Sequence, residues 1–328
     1  MKPKILIRTD GGIQIGHGHL VRCLALAQIL KDDFEIIFYC KEIPETIVPE
    51  LKVCCIICNK IETEDEFLRQ LNHNTIAVLD GYHFDTDFQK QIKSTGSKLV
   101  CIDDIHDKEF VADLIINHAP GVSSVDYQAQ SYTQFALGLE FSLIRSKFLE
   151  QAKISRKIEK IDTVFICFGG SDAENITHST LKAVTELEQL KKIFVVTGSE
   201  YQFADSINTI ADTDNRVKHF HSVGEAKMLD LMLHAELAIV PASGISIEIL
   251  HVGAILLTGT TAENQKIIYN GLIKMNNVYG IGNFNHLDAT KLITTIQKVL
   301  TLNTFPINLE TIKQNPLNLK FNYVFNRE

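Results

Sequence analysis

The strongest constraint on this chain is an alternation that runs through most of its length. Short apolar or β-branched runs are each followed by a stretch with helical spacing. KILIR (4–8), EIIFYC (35–40), VCCII (53–57), IAVLD (76–80), KLVCID (98–103) and DLIIN (113–117) form one series. These runs lack polar alternation, so the strands they make must be covered on both faces, as in a parallel sheet with helices on each side. Helical candidates at 20–30, 64–71 and 84–93 lie between them, which is the βαβ rhythm of a doubly wound sheet.

The rhythm weakens between Ala119 and Lys160, where FALGLEFSLIR (135–145) gives way to the polar SKFLEQAKISRKIEKID. It then resumes with TVFICFGG (163–170), KIFVVTG (192–198), VKHFHS (217–222), LAIVPASG (237–244) and AILLTG (254–259), separated by helical segments near 176–190, 225–235, 246–251 and 263–274. A chain of 328 residues has room for two domains. The junction near 150–161 therefore predicts an α/β protein of two Rossmann-like domains, 1–155 and 156–328, facing a central cleft. The final stretch, IKQNPLNLKFNYVFNRE, is open: it packs across the other domain or frays.

Hydrophobic residues make up 45% and charged ones 22%, the balance of an ordinary globular protein. A net charge of −8 without basic clusters argues against nucleic acid as a partner. No apolar run reaches the 18 residues of a membrane span, and the N-terminus lacks a signal peptide's core, so we expect a cytoplasmic chain without stable membrane insertion. Most of the seven cysteines sit in apolar runs and read as buried thiols; the lone Cys55–Cys58 pair has no second ligand pair for zinc.

Chemistry concentrates in glycine-led turns at strand ends. The first, DGGIQIGHGHLVRCLALA (10–27), matches neither GxGxxG nor the Walker loop, which weakens the reading of an α/β dehydrogenase with a nicotinamide cofactor. Leu20, Leu24 and Ala27 recur at helical spacing, so the residues before Leu20 lie at a helix N-terminus, where unsatisfied N–H groups favour an anion. His19 sits at that junction, either hydrogen-bonded to the backbone or acting as a general base or acid. His17 has the same chemistry between Gly16 and Gly18. Arg22, one turn on, neutralises phosphate or a carboxylate such as Asp10.

Asp80 in DGY (80–82) and Asp103 in IDD (102–104) end strands, where they serve as turn caps or as polar machinery. FGGSDAEN (168–175) places Gly170 and Ser171 where backbone and hydroxyl donors suit a diphosphate, with Asp172 alternatively a cap for the next helix. In PASGISIEIL (241–250), Ser243 and Gly244 form a turn, and Glu248 follows on a short helix. A functional Glu248 faces ribose hydroxyls rather than phosphate. AENQ (262–265) opens another helix, with Asn264 and Gln265 on the ligand side or capping locally.

RxD, IGxGH and RCLxLA, as they stand in RTDGGIQIGHGHLVRCLALA, resemble the nucleotide-sugar hydrolases of pseudaminic acid biosynthesis, which remove UDP from UDP-2,4-diacetamido-2,4,6-trideoxy-β-L-altropyranose. That family is related to spore-coat polysaccharide proteins and, more distantly, to the UDP-GlcNAc glycosyltransferase of peptidoglycan lipid synthesis. The resemblance implies a two-Rossmann-domain fold of the glycosyltransferase-B type. It implies His19 as the catalytic histidine, with His17 at the variable position, Tyr82 lining the sugar pocket, and Asp80 or Asp103 holding a histidine or a sugar hydroxyl. It carries UDP contact onto Ser171, Asp172 and Asn175, and ribose contact onto Glu248. Ser243–Gly244 departs from the family's double glycine, and Ile247 stands where an aromatic residue is common.

The implied reaction is attack of water on C1 with inversion, His19 being the base and the helix N-termini after Gly18 and Gly170 offsetting charge on the β-phosphate, with no metal or cofactor. A glycosyltransferase using a UDP-amino sugar, or a noncatalytic nucleotide-sugar binding protein, fits the same motifs. The expected partner is the UDP-linked diacetamido sugar, acting on a monomer, with a weak dimer as the other state.

Overall fold

The computed structural model describes residues 2–12, 17–45, 47–54, 56–154, 156–302 and 315–325, and the side chains of Glu50 and Val53 are left aside. Gly16 and Cys55 fall outside the described residues. The chain divides into two compact units, one ending at Ser146 and regaining the C-terminal helix, the other beginning at Lys147.

In the first unit, strands β1 (Lys4–Thr9), β2 (Glu35–Cys40), β3 (Ile57–Lys60), β4 (Thr75–Asp80), β5 (Lys98–Ile102), β7 (Leu114–Asn117) and β9 (Gln134–Leu137) form one sheet in the order β3-β2-β1-β4-β5-β7-β9. Every pairing in it is parallel. The short strands β6 (Glu109–Phe110) and β8 (Gln128–Ala129) pair separately. Helices α1 (Gly18–Leu30), α2 (Val48–Val53), α3 (Glu64–Leu68) and α4 (Thr86–Ser94) occupy the crossovers. All six residues of β4 are buried, as a strand covered on both faces requires. Helix α1 buries Leu20, Leu24 and Ala27 as its periodicity predicts, and also Cys23, Ala25 and Leu26, so it is enclosed almost all round.

The run VCCII is not a strand over 53–57. Helix α2 ends at Val53 and β3 starts only at Ile57. The physical reason is that β3 is the sheet's edge: Ile57 is 56% exposed, and Asn59 and Lys60 face solvent, so no continuous apolar run is needed there. Leu51 and Ile56 instead fill the core beneath.

The second unit repeats the plan with β10 (Thr163–Cys167), β11 (Lys192–Thr197), β12 (Val217–His221), β13 (Leu237–Pro241), β14 (Ile255–Thr260) and β15 (Val278–Asn283), ordered β12-β11-β10-β13-β14-β15. Helix α5 (Ser146–Gln151) begins at the division; α6 (Ile176–Thr185), α7 (Ala204–Thr213), α8 (Glu225–Leu233), α9 (Gly244–His251), α10 (Lys266–Leu272) and α11 (Ala289–Leu300) follow. Both sheets thus run 3-2-1-4-5-6 from one edge, the dinucleotide-fold order. The order reverses between β1 and β4 in one unit and between β10 and β13 in the other, and a ligand crevice opens at the carboxyl ends of strands flanking such a reversal.

The C-terminal helix α12 (Leu317–Phe325) belongs to the first unit, not the second. Leu317 and Phe321 are fully buried in that unit's core, with Phe321 edge-on to Phe34, and Asn318 donates to Asp33 at 2.8 Å. Two buried apolar side chains one turn apart decide where this segment goes. No described helix is long and apolar enough to cross a membrane.

Candidate active site

In the first unit, the reversal between β1 and β4 gathers the polar residues of three strand ends. His19 stands in the first turn of α1, 5% exposed, and its Nδ1 lies 2.6 Å from Asp80 Oδ1 at the end of β4. Arg22, one turn further along α1, forks onto the same carboxylate: Nε donates to Oδ2 at 2.6 Å and an Nη to Oδ1 at 2.5 Å. Its other Nη donates to Asp104 Oδ2 at 2.7 Å. Tyr82 Oη donates to that same Asp104 oxygen at 3.2 Å, and its ring meets the His19 ring edge-on, centroids 4.8 Å apart. Cys23 adds a thiol donor to Asp80 at 3.4 Å.

Asp80 is wholly buried, which by itself raises a carboxyl's pKa; the charges of Arg22 and His19 and their hydrogen bonds outweigh burial and hold it well below the usual carboxylate range. An ionised carboxylate can only accept, so the proton of the imidazole is assigned to Nδ1 and the lone pair to Nε2. The Arg22 Nη that lies 3.0 Å from Nδ1 directs one of its two N–H groups at Asp80, and a protonated Nδ1 has no lone pair for the other to use. This is the arrangement of a base with an orienting carboxylate.

Asp103 and Asp104 divide their roles. Asp103 is turned into its own loop, where it accepts from the His106 N–H at 3.0 Å, while Asp104 reaches Arg22 and Tyr82. Asp10 does not meet Arg22. It pairs with the buried Arg8 at 2.7 Å and accepts from the Lys41 and Glu42 N–H groups at 2.6 and 3.2 Å, tying the start of the glycine turn to the exit of β2. Arg8 also forks onto Glu64 at 2.8 and 2.9 Å. Sequence reasoning gave Arg8 no role, although it is the arginine of RxD, and missed Glu64 and Asp104; Asp104 had a local signal as the second aspartate of IDD, whereas Glu64 had none. His17 is the residue capping α1 by position, without a side-chain cap bond to the helix, and Gly18 opens the helix with room at its α-carbon.

The second unit gathers its motifs at the corresponding reversal. Gly169 takes φ +89°, a left-handed value that favours glycine, and Gly170 packs so closely on Gly198 that a Cβ on Gly198 would land on its backbone. Ser171 is half-buried beside them. Asp172, however, turns back onto α6, its two oxygens accepting from the Ile176 and Thr177 N–H groups at 2.9 and 2.8 Å. The cap reading of Asp172 is therefore the one realised, and two amides at the start of α6 are occupied by its own carboxylate. Burial pushes the Asp172 carboxyl up despite these bonds. Asn175 adopts φ +53° and its carbonyl accepts from Tyr201 Oη at 2.5 Å.

At the other side of the reversal, Ser243 and Gly244 start α9 with no acidic residue in its first turn and no side-chain cap bond from Ser243. Glu248 is buried on the same helix. Gln265 caps locally, its carbonyl accepting from the Thr261 N–H at 2.7 Å; Asn264 is half-buried beside it. Among the described residues, no three His, Cys, Asp or Glu side chains gather as metal ligands would. Cys58 lies with its sulfur 3.9 Å from that of Cys40.

The fold so described is the two-lobed α/β architecture of the glycosyltransferase-B type. It matches the crystal structure of Acinetobacter baumannii MurG with a TM-score of 0.64 at 11% identity, covering 100% of both chains. It matches Anabaena HepE in complex with UDP-glucose with a TM-score of 0.58 at 13% identity, covering 97% of this chain and 99% of that one. No family model matches the chain.

By sequence it is similar to the UDP-2,4-diacetamido-2,4,6-trideoxy-β-L-altropyranose hydrolase of Campylobacter jejuni, 27% identical over 83% of this chain and 96% of the relative. The spore coat polysaccharide biosynthesis protein SpsG of Bacillus subtilis is 25% identical over 79% of this chain and 78% of its own length. An uncharacterized protein of Methanocaldococcus jannaschii is 25% identical over 83% of this chain, which spans only 58% of that relative. The chain is thus a glycosyltransferase-B-fold protein related to nucleotide-sugar enzymes.

Proposed function

We propose that this protein is a UDP-amino-sugar enzyme in which His19 activates an oxygen nucleophile for attack on C1 of the sugar, releasing UDP by C–O cleavage. The observation that carries the reading is the 2.6 Å contact between His19 Nδ1 and the ionised Asp80. It leaves Nε2 as the basic atom and stabilises the imidazolium formed when the nucleophile gives up its proton. Such base catalysis is worth about 10²- to 10⁴-fold. UDP leaves as a stable anion and needs little help from an acid. In the second unit, the Gly170–Ser171 turn and the start of α9 at Ser243 and Gly244 offer donors to the diphosphate, and Glu248 is assigned to the ribose.

Two nucleophiles suit this base. An acceptor hydroxyl makes a glycosyltransferase, the broader reading and the one that the class of the solved structures favours. Water makes a hydrolase of UDP-2,4-diacetamido-2,4,6-trideoxy-β-L-altropyranose, a finer reading favoured by the name of the Campylobacter jejuni relative.

Incubating the protein with that sugar nucleotide in ¹⁸O-water, without an acceptor, separates them. Catalytic release of UDP with the label in the sugar supports hydrolysis; release only on adding acceptor alcohols supports transfer. Label in UDP, which means attack on phosphorus, removes the C1 mechanism. Tight binding of a panel of UDP-sugars without product leaves a binding protein.

A further inference from the structure

We infer that Arg22 is a positioning residue rather than a phosphate ligand: its guanidinium holds Asp80 and Asp104 in one geometry and, through them, fixes the rings of both His19 and Tyr82. The inference deepens the proposed function and, in its kinetic arm, rests on His19 being the base.

Each of the three guanidinium nitrogens donates to a carboxylate, two to Asp80 and one to Asp104. The Asp104 oxygen that receives Arg22 also receives Tyr82, whose ring abuts His19. The five side chains therefore close a circuit: imidazole to Asp80, to Arg22, to Asp104, to phenol, and back to imidazole by ring contact. One cation between two carboxylates leaves this cluster with a charge of −1 when the imidazole is neutral, so a phosphate approaching Arg22 would meet net repulsion. A planar fork can hold two carboxylates at fixed angles, whereas an ammonium is a point charge that cannot. Without the fork, Asp80 is free to turn away from Nδ1, and its carboxylate no longer selects one tautomer.

The test compares R22K, R22Q and D104N in the full chain. R22K and R22Q should each lower kcat for UDP release about 10²-fold, the scale of a misplaced catalytic group. KM and the Kd for UDP should not change. D104N should lower kcat only about fivefold, the worth of one net hydrogen bond.

An independent arm uses ¹⁵N-histidine NMR, with the His19 signals assigned by their loss in His19→Gln. The wild type should show the Nδ1–H tautomer, and R22K and R22Q a mixture. An R22K enzyme with near wild-type kcat, an R22Q enzyme whose KM and UDP Kd rise at unchanged kcat, or an unaltered tautomer in both variants would overturn the inference. If R22Q does not fold, the tautomer in R22K decides. If the wild type releases UDP from no UDP-sugar, the proposed function fails, and the tautomer comparison still decides the role of Arg22.

Discussion

Helices α1 and α6 begin alike in sequence: a buried parallel strand, a glycine-led turn, then an apolar helical face. They differ in where the nearest carboxylate comes from. At α6 it is local, Asp172, and it takes the helix's own Ile176 and Thr177 amides. At α1 the first turn holds no acidic residue, and the carboxylate arrives from β4, 61 residues along the chain, onto the His19 ring. A local carboxylate completes a helix end; a distant one commits a side chain to chemistry. The same contrast separates their ionisation. Arg22 and His19 overcome burial at Asp80 and hold it down, whereas burial prevails at Asp172 and pushes it up.

The largest effect that would sharpen this contrast is expected from Asp80→Asn. Turnover should fall on the order of 10³- to 10⁴-fold, because an amide no longer selects the Nδ1–H tautomer. Stability, read by urea melts, should drop by about 3–5 kcal/mol, since buried Arg22 loses its principal counter-charge. Near-normal turnover would erase the distinction between the two helix starts.

Next in size is a pair of glycine substitutions. Gly198→Ala forces a Cβ against the Gly170 backbone and should destabilise by about 1–3 kcal/mol. The nearest atoms a Cβ at Gly12 would meet are the carboxylate end of Glu42, which can swing away, so Gly12→Ala should have a melting temperature close to wild type.

Asp172→Ala should cost about 1 kcal/mol, the usual worth of a helix cap, with little change in UDP affinity. A large loss of UDP affinity at unchanged stability would instead make Asp172 a ligand group.

The smallest effect is in the pH dependence. Asp80, whose folded pKa is depressed, contributes stability that is fully present above the unfolded value near 4 and is lost as pH falls through its lower folded value. Asp172, whose folded pKa is raised, carries a penalty that is complete above its folded value and vanishes below about pH 4. On acidification the wild type should therefore lose ground against Asp80→Asn and gain ground against Asp172→Asn. Thermal melts taken downward from about pH 6 to 3 cover the onset of the Asp80 loss, which begins below the ordinary carboxylate value near 4, and the range above that value where the Asp172 penalty builds; parallel slopes would mean that the two environments are equivalent.

Much of the candidate site was legible. His19 stood out as a histidine at the start of an apolar helix, and Asp80 as a carboxylate ending a buried strand. Asp104 was missed in favour of Asp103 because β5 ends at Ile102, and past a strand end the alternation of side-chain directions no longer tells which of two adjacent aspartates faces the crevice. Arg22 was readable as a cation near a helix start, but its partners lie 58 and 82 residues away. The pairing with Asp10 that its proximity in sequence suggests is pre-empted by Arg8, the buried arginine of the same RxD motif.

The sequence by itself determined the two α/β units, the covered parallel strands and the glycine turns, because apolar period and turn chemistry act over a few residues. Tertiary structure alone decided that β3 is an edge and that α12 returns to the first unit. It also decided that Arg22 serves two carboxylates. Those outcomes depend on strand order and on which distant side chains compete for one buried donor, and no local pattern encodes that competition.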